Sequence, residues 1–226
     1  MIAKATIGTS LLSLTAFLGG MLLARWGVLP PRAGVALFAL GGVLGMAAIG
    51  LSIAVLFMNK GHGVAMVGML GALPFIALLG VTLNALQYPA ISDIATDLDN
   101  PPRIAGETEP PPLEAEAIRT AYPRVVTLTC ALAPDTAYAQ ALSLARAPRW
   151  NWSITAEDAA GRTFQGVAVS SIFHFEDDFT VRVTSGGDGG SRIDMRSKSR
   201  VGKSDLGANA RRIRRYFEAL EPLLTR

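Results

Sequence analysis

The chain has 226 residues, half of them hydrophobic and 17% charged, with a formal net charge of +3 at pH 7. All 18 acidic residues lie at or beyond Asp93, and only Lys4, Arg25, Arg32 and Lys60 are charged before it, so the second part carries 17 basic against 18 acidic residues. A basic footprint must be read per domain, so no nucleic-acid partner is expected, and the single Cys130 rules out an intramolecular disulfide and a cysteine-rich metal site.

Residues 5–24, 33–58 and 64–86 contain no charged side chain, and each reaches the roughly 20 residues a helix needs to cross about 30 Å of hydrocarbon. The spacing predicts three transmembrane helices over 1–86 and the lipid bilayer as a partner. The first stretch is longer than the core of a signal peptide and has no small-x-small cleavage site before Arg25, so it reads as an anchor. Pro74 predicts a kink in the third span, and the Gly41 to Gly45 spacing permits close helix contact. With no ionisable group inside them, the spans show no transport pathway and read as a tether. Lys4 with Lys60, and Arg25 with Arg32, tie under the positive-inside rule. Between Gln87 and Arg103 there is no Lys or Arg, while Asp93, Asp97 and Asp99 are present, which predicts an external soluble domain.

Residues 87–123 are rich in proline and acid and lack a persistent period, so they predict an extended connector. The soluble domain proper is then 124–226, and its first strand is expected from Val125 to Leu132, with Cys130 a buried structural thiol. Pro134-Asp135 predicts a helix start with Asp135 as N-cap, and Pro148 its end. Period-two alternation then predicts four strands, through Trp150-Trp152-Ile154, Val167 to Phe175, Phe179-Val181-Val183 and Ile193-Met195. Glu176-Asp177-Asp178 reads as a turn between the second and third of these. A last helix is expected from Leu206 to Leu220, capped by Ser204 or Asp205. The order β-α-β-β-β-β-α with short turns describes an antiparallel sheet with helices on one face, an α+β domain. Its order resembles TBP-like or helix-grip architecture, in which a C-terminal helix crosses the sheet, often over an apolar cavity.

The densest polar segment joins the last strand to the last helix. Alternation places Arg192, Asp194, Arg196, Lys198 and Arg200 on the face opposite Ile193 and Met195, with Arg182 and His174 as expected cross-strand neighbours. Such a row either pairs with acids, for which Asp93, Asp97 and Asp99 are at hand, or binds an anion near the helix N-terminus. Gly202-Lys203-Ser204 resembles the end of a phosphate-binding loop, but Ser197 stands where the first glycine belongs and the sheet is antiparallel. His174 has no nameable triad partner, and Glu176-Asp177-Asp178 matches no metal-ligand spacing. No metal or other cofactor is expected. The basic helix positions Arg211, Arg212, Arg214 and Arg215 face either anionic lipid or solvent.

Two segments, Tyr88-Pro89-Ala90-Ile91-Ser92-Asp93-Ile94-Ala95-Thr96-Asp97 with Pro101-Pro102, and 196–209 from Arg196 to Asn209 with Arg212-Ile213, resemble the domain of unknown function 1499 family, over about residues 88–220. The preceding spans resemble a membrane-anchored form of that family. The resemblance implies an inner-membrane location with the domain exported to the periplasm, and it implies no activity. The expected function is a non-catalytic, membrane-tethered domain that binds an anionic or amphipathic, lipid-like ligand. Its candidate site residues are Arg196, Lys198, Arg200, Lys203, Ser204, Asp205, Asn209, Asp93 and Asp97. One alternative is a scaffold or assembly factor acting on a partner membrane protein. Another is a hydrolase or isomerase using Asp93 or Asp97 with Arg200, which needs the connector folded onto the sheet.

Overall fold

The computed structural model describes residues 1–225, and the chain divides into two compact units, Met1–Gln87 with Ser170–His174, and Tyr88–Val169 with Phe175–Arg226. In the first, helices α1 (Ile2–Arg25), α2 (Pro31–Phe57), α3 (His62–Met69) and α4 (Ala72–Ala85) make three segments long and apolar enough to cross a membrane. α3 and α4 form one such segment, interrupted at Leu70-Gly71. The interruption sits one turn before Pro74, whose missing N–H cannot bond the Leu70 carbonyl and whose ring crowds it.

Large apolar side chains such as Leu11, Leu18, Leu40 and Met46 point outwards, while small and hydroxylated residues face inwards. A Cβ added to Gly41 would lie 2.6 Å from the Phe17 nitrogen, so α1 and α2 approach closely only because glycine stands there. Ser13 Oγ donates to the Gly41 carbonyl at 2.7 Å and Ser10 Oγ to that of Val67 at 3.1 Å, across helices, while the buried Thr6 and Ser52 hydroxyls bond back to Ile2 and Ala48 within their own.

The second unit contains β1 (Asp93–Ala95), α5 (Ala115–Ala121), β2 (Leu128–Cys130), α6 (Pro134–Ala145), β3 (Trp152–Asp158), β4 (Thr163–Val169), β5 (Glu176–Ser185), β6 (Ser191–Ser199) and α7 (Ala208–Leu220). The sheet is antiparallel in the order β1-β6-β5-β4-β3, with β2 also on β6. β1 pairs with 196–198 and β2 with 191–193, so the two short strands lie end to end along one edge of β6. The α+β class and the antiparallel meander agree with the sequence pattern.

Several expected boundaries move. The first strand shrinks to Leu128–Cys130, and Cys130 packs half-buried at the margin of the core. Pro134 takes the first helical position of α6 with Ala133 as N-cap, which leaves Asp135 in the first turn. Trp150 lies in a single 3-10 turn, and β4 stops at Val169 instead of running to Phe175. Glu176-Asp177-Asp178 is no turn: it opens β5 and pairs with both neighbouring strands. The largest change concerns 87–123. That segment is not a free connector, because it supplies β1, α5 and the buried side chains of Ile91, Ile94 and Ile118.

α6 and α7 cover one face of the sheet. Phe164, Phe179, Val181, Ile193, Met195, Ile213, Tyr216 and Leu220 are fully buried there, and Tyr216 donates from its hydroxyl to the Ala141 carbonyl at 2.6 Å. These side chains occupy the space between α7 and the sheet where the sequence suggested a ligand cavity.

Candidate functional site

Alternation along β6 does turn Asp194, Arg196 and Lys198 away from α7, but the face they occupy is covered. Residues 96–113 cross it as a strap. Arg196 is fully buried beneath, donating from Nε and Nη2 to the two Asp93 carboxylate oxygens at 2.8 and 2.7 Å. Its Nη1 reaches Glu107 at 2.6 Å and the Pro102 carbonyl at 3.3 Å, and Lys198 Nζ reaches the same Glu107 at 2.7 Å. Burial pushes the Glu107 carboxyl up, but hydrogen bonds from Arg196 and Lys198 and the Arg196 charge outweigh it and hold it below its ordinary value. Burial likewise opposes the Arg196 charge, and Asp93 and Glu107 more than restore it. A buried guanidinium with two carboxylates is a satisfied unit.

The rest of the 196–209 segment is spent in the same manner. Arg200 makes a fork to Asp178, with Nη2 at 2.7 Å, and also bonds Glu176. Ser204 Oγ accepts from the Leu206 amide at 3.3 Å and donates to the Pro89 carbonyl at 3.4 Å. Asp205 accepts from the Gly207 and Asn209 amides at 2.8 and 2.6 Å, so it caps α7 from outside while Gly207, at φ 73, takes the N-cap position. Burial pushes the Asp205 carboxyl up against those hydrogen bonds, and the nearby Asp177 charge adds to the rise. Asn209, fully buried, donates to the Ser92 carbonyl and to Ser199 Oγ, both at 3.0 Å, and accepts from Ser197 Oγ at 2.7 Å. Arg212 closes the network on Asp177 at 2.5 Å. Lys203 stays exposed and makes no ion pair among the described residues.

The candidates thus fall into two sets, Asp93, Arg196 and Lys198 on the strap face and Ser204, Asp205 and Asn209 on the α7 side, and both hold the segment around 89–93 to the sheet. His174 belongs to the first unit. Glu107 takes a central part that no sequence spacing marks, and Arg212, expected to face lipid or solvent, turns inwards onto the buried Asp177. Among the described residues no group of three or more His, Cys, Asp or Glu is placed to hold a metal ion.

An open groove remains beside the strap. Asp97 stands at its margin, accepting from Arg182 Nη2 at 3.1 Å and from the Asn100 amide at 2.9 Å. Arg182 also donates to the Asn100 carbonyl at 2.7 Å and lies 3.6 Å from the buried Asp194, yet its buried Nε has no acceptor. The groove has a volume of about 460 Å³. Strap residues 100–103 form one wall, Ala156 and Asp158 of β3 the other, and Thr163, Gln165, Thr180 and Arg182 line it between them. Two hydrogen bonds hold the strap wall, Thr180 Oγ1 to the Arg103 carbonyl at 2.8 Å and the Ala105 amide to Gln165 at 2.7 Å.

A family model described as a protein of unknown function, DUF1499, matches residues 93–220. The chain belongs to the DUF1499 family. The DUF1499 match opens on the first residue of β1 and closes on the last residue of α7, so the strap and the ion pairs of Arg196 lie inside the family's domain. No curated protein matches the sequence.

Proposed function

We propose that this DUF1499 protein is an inner-membrane protein whose three spans tether a periplasmic domain, and that the domain binds a polar, anion-bearing ligand, such as a lipid head group, without transforming it. The observation that carries the reading is the groove between strap and sheet, on whose walls Arg103 and Asp158 stand exposed and without an ion pair among the described residues. Ligand pockets characteristically carry a few such polar groups converging on the space they enclose. The external orientation is supported by the acidic stretch after the third span, which has no Lys or Arg before Arg103. Binding is favoured over hydrolysis or isomerisation because Asp93 and Asp97, the carboxylates such chemistry would recruit, are each held by an arginine.

Native mass spectrometry of the full-length chain, released from mild detergent, tests the proposal. The expected result is a retained small polar or lipid ligand that is lost from Arg103→Ala and kept by Lys203→Ala. A chain that carries no ligand in either background overturns it.

A further inference from the structure

The chemistry of the groove can be taken one step further, on the reading that it is a ligand site. Its unspent groups are of opposite charge and stand on opposite walls. Arg103 lines one wall, is exposed, and makes no ion pair among the described residues. Asp158 lines the other, is also exposed, and is met by no cation among the described residues, its only hydrogen bond being from the Gly161 amide at 2.9 Å. The neutral groups between them are partly engaged: Gln165 Oε1 accepts from the Ala105 amide, Thr180 Oγ1 donates to the Arg103 carbonyl, and Thr163 Oγ1 to the Gly161 carbonyl at 3.1 Å. Glu157 has its carboxylate on Arg146 at 2.5 Å. The charges that the groove still offers are one cation and one carboxylate.

A fault in the β3 ladder puts Asp158 there. Ile154 pairs with Gly166, but the next partners are Ala156 and Gln165, a shift of one residue on the β3 side. Paired residues share a face of the sheet, so after the shift Ala156 and Asp158 lie with Gln165 and Thr163 on the strap side. An unbroken ladder would set Ala156 against Phe164 and send Asp158 to the helix-packed face. A bulge that re-aims a side chain is a common device beside binding sites.

We propose that this groove takes a small zwitterion bearing a primary ammonium and a singly charged oxyanion, with Asp158 receiving the ammonium and Arg103 the oxyanion. Arg182 is shared with Asp97 and Asp194, so a doubly charged anion has too little cation to meet it. No aromatic residue lines the groove, which disfavours a quaternary ammonium. The Arg103 carbonyl is bonded to Thr180 of β5, whereas Asp158 of β3 lies opposite Thr163 and Arg182, two strands over and two residues along, so the backbones carrying the two charges are more than about 10 Å apart. That span suits an ethanolamine phosphodiester better than an α-amino acid, whose charges sit on one carbon. The phosphodiester comes either from a phospholipid head group or from a free, deacylated ester.

Calorimetry on the full-length chain in neutral detergent distinguishes these. The probes are glycerophosphoethanolamine and dihexanoyl phosphatidylethanolamine, with glycerophosphocholine and glycerophosphoglycerol as controls. An ethanolamine probe binds about tenfold or more tighter than both controls, Asp158→Asn removes that preference, and Arg103→Ala weakens every phosphodiester. Equal or better binding of the acylated probe assigns a lipid head group, and a preference for the deacylated one assigns a soluble ester. Both variants are at exposed positions, and an unchanged unfolding temperature verifies that they fold. Ethanolamine and glycerol probes binding alike overturn the zwitterion assignment and leave the ligand-binding reading standing, as does failure of all probes when native mass spectrometry still finds a ligand. Absence of both signals ends both.

Discussion

On the helix-packed face of the sheet, Phe164, Phe179, Val181, Ile193 and Met195 are buried against α6 and α7, whereas on the strap face the largest fully buried side chain is that of Arg196. One face excludes water with apolar area, which is non-directional and tolerates small shifts. The other does so with a directional set of charges, Asp93, Glu107, Arg196 and Lys198, in which each partner needs the others. The difference teaches where adaptability lies. The apolar face fixes the fold, and the strap face combines a rigid ionic clasp with a groove at its margin that retains unspent charge.

Three substitutions grade that contrast, each followed by tryptophan fluorescence during urea unfolding of the full-length chain in mild detergent. Phe179→Ala on the apolar face is expected to cost about 3–5 kcal/mol, independent of salt and pH, because it leaves a cavity beside the Trp152 ring and over Gly166. A loss below about 1 kcal/mol would mean that the helix-packed face does not dominate stability.

Glu107→Gln is expected to cost about 1–3 kcal/mol, since Arg196 and Lys198 then lose a charged acceptor in a largely buried setting. It also carries a pH signature. Glu107 ionises at lower pH in the folded chain than in the unfolded one, so its stabilisation is complete above the unfolded carboxylate range and is lost as pH falls through the lowered folded value. The variant should therefore show a flatter acid limb than the parent. Identical acid limbs would remove Glu107 from the clasp.

Arg200→Ala is the smallest, about 0–1 kcal/mol and screened by added salt, because its pairs with Glu176 and Asp178 are half exposed. A larger cost would extend the clasp to the end of β6.

Much of this was legible in the residues because the signals are local. Three charge-free stretches give the three spans, Pro74 gives the break between α3 and α4, and alternation through Phe179-Val181-Val183 and Ile193-Met195 gives β5 and β6 with the correct faces. What misled was distance in sequence. β1 has only three residues and no alternation to read, and its order comes from β6 and from Arg196, so a proline-rich acidic segment looked like a linker. The same cause hid Glu107. The cation row was placed on the correct face, but composition has no means of telling that a strap neutralises it. The β3 bulge, which decides the facing of Asp158, depends on pairing with β4 and leaves no mark in β3 itself.

The clasp also has a consequence for the order in which the chain is made. Asp93 and Arg196 are 103 residues apart, and Asn209, which holds the Ser92 carbonyl, comes later still. During synthesis from the amino terminus, Asp93 and Glu107 emerge long before the strand and helix that satisfy them. Until then β1 is an unpaired edge and two carboxylates wait without a counter-ion, a late-closing topology that folds slowly. A ribosome that stalls before β6 leaves β3, β4 and β5 able to pair but β1 and β2 without their partner strand and the clasp unmade, so an incomplete product carries its own mark of incompleteness.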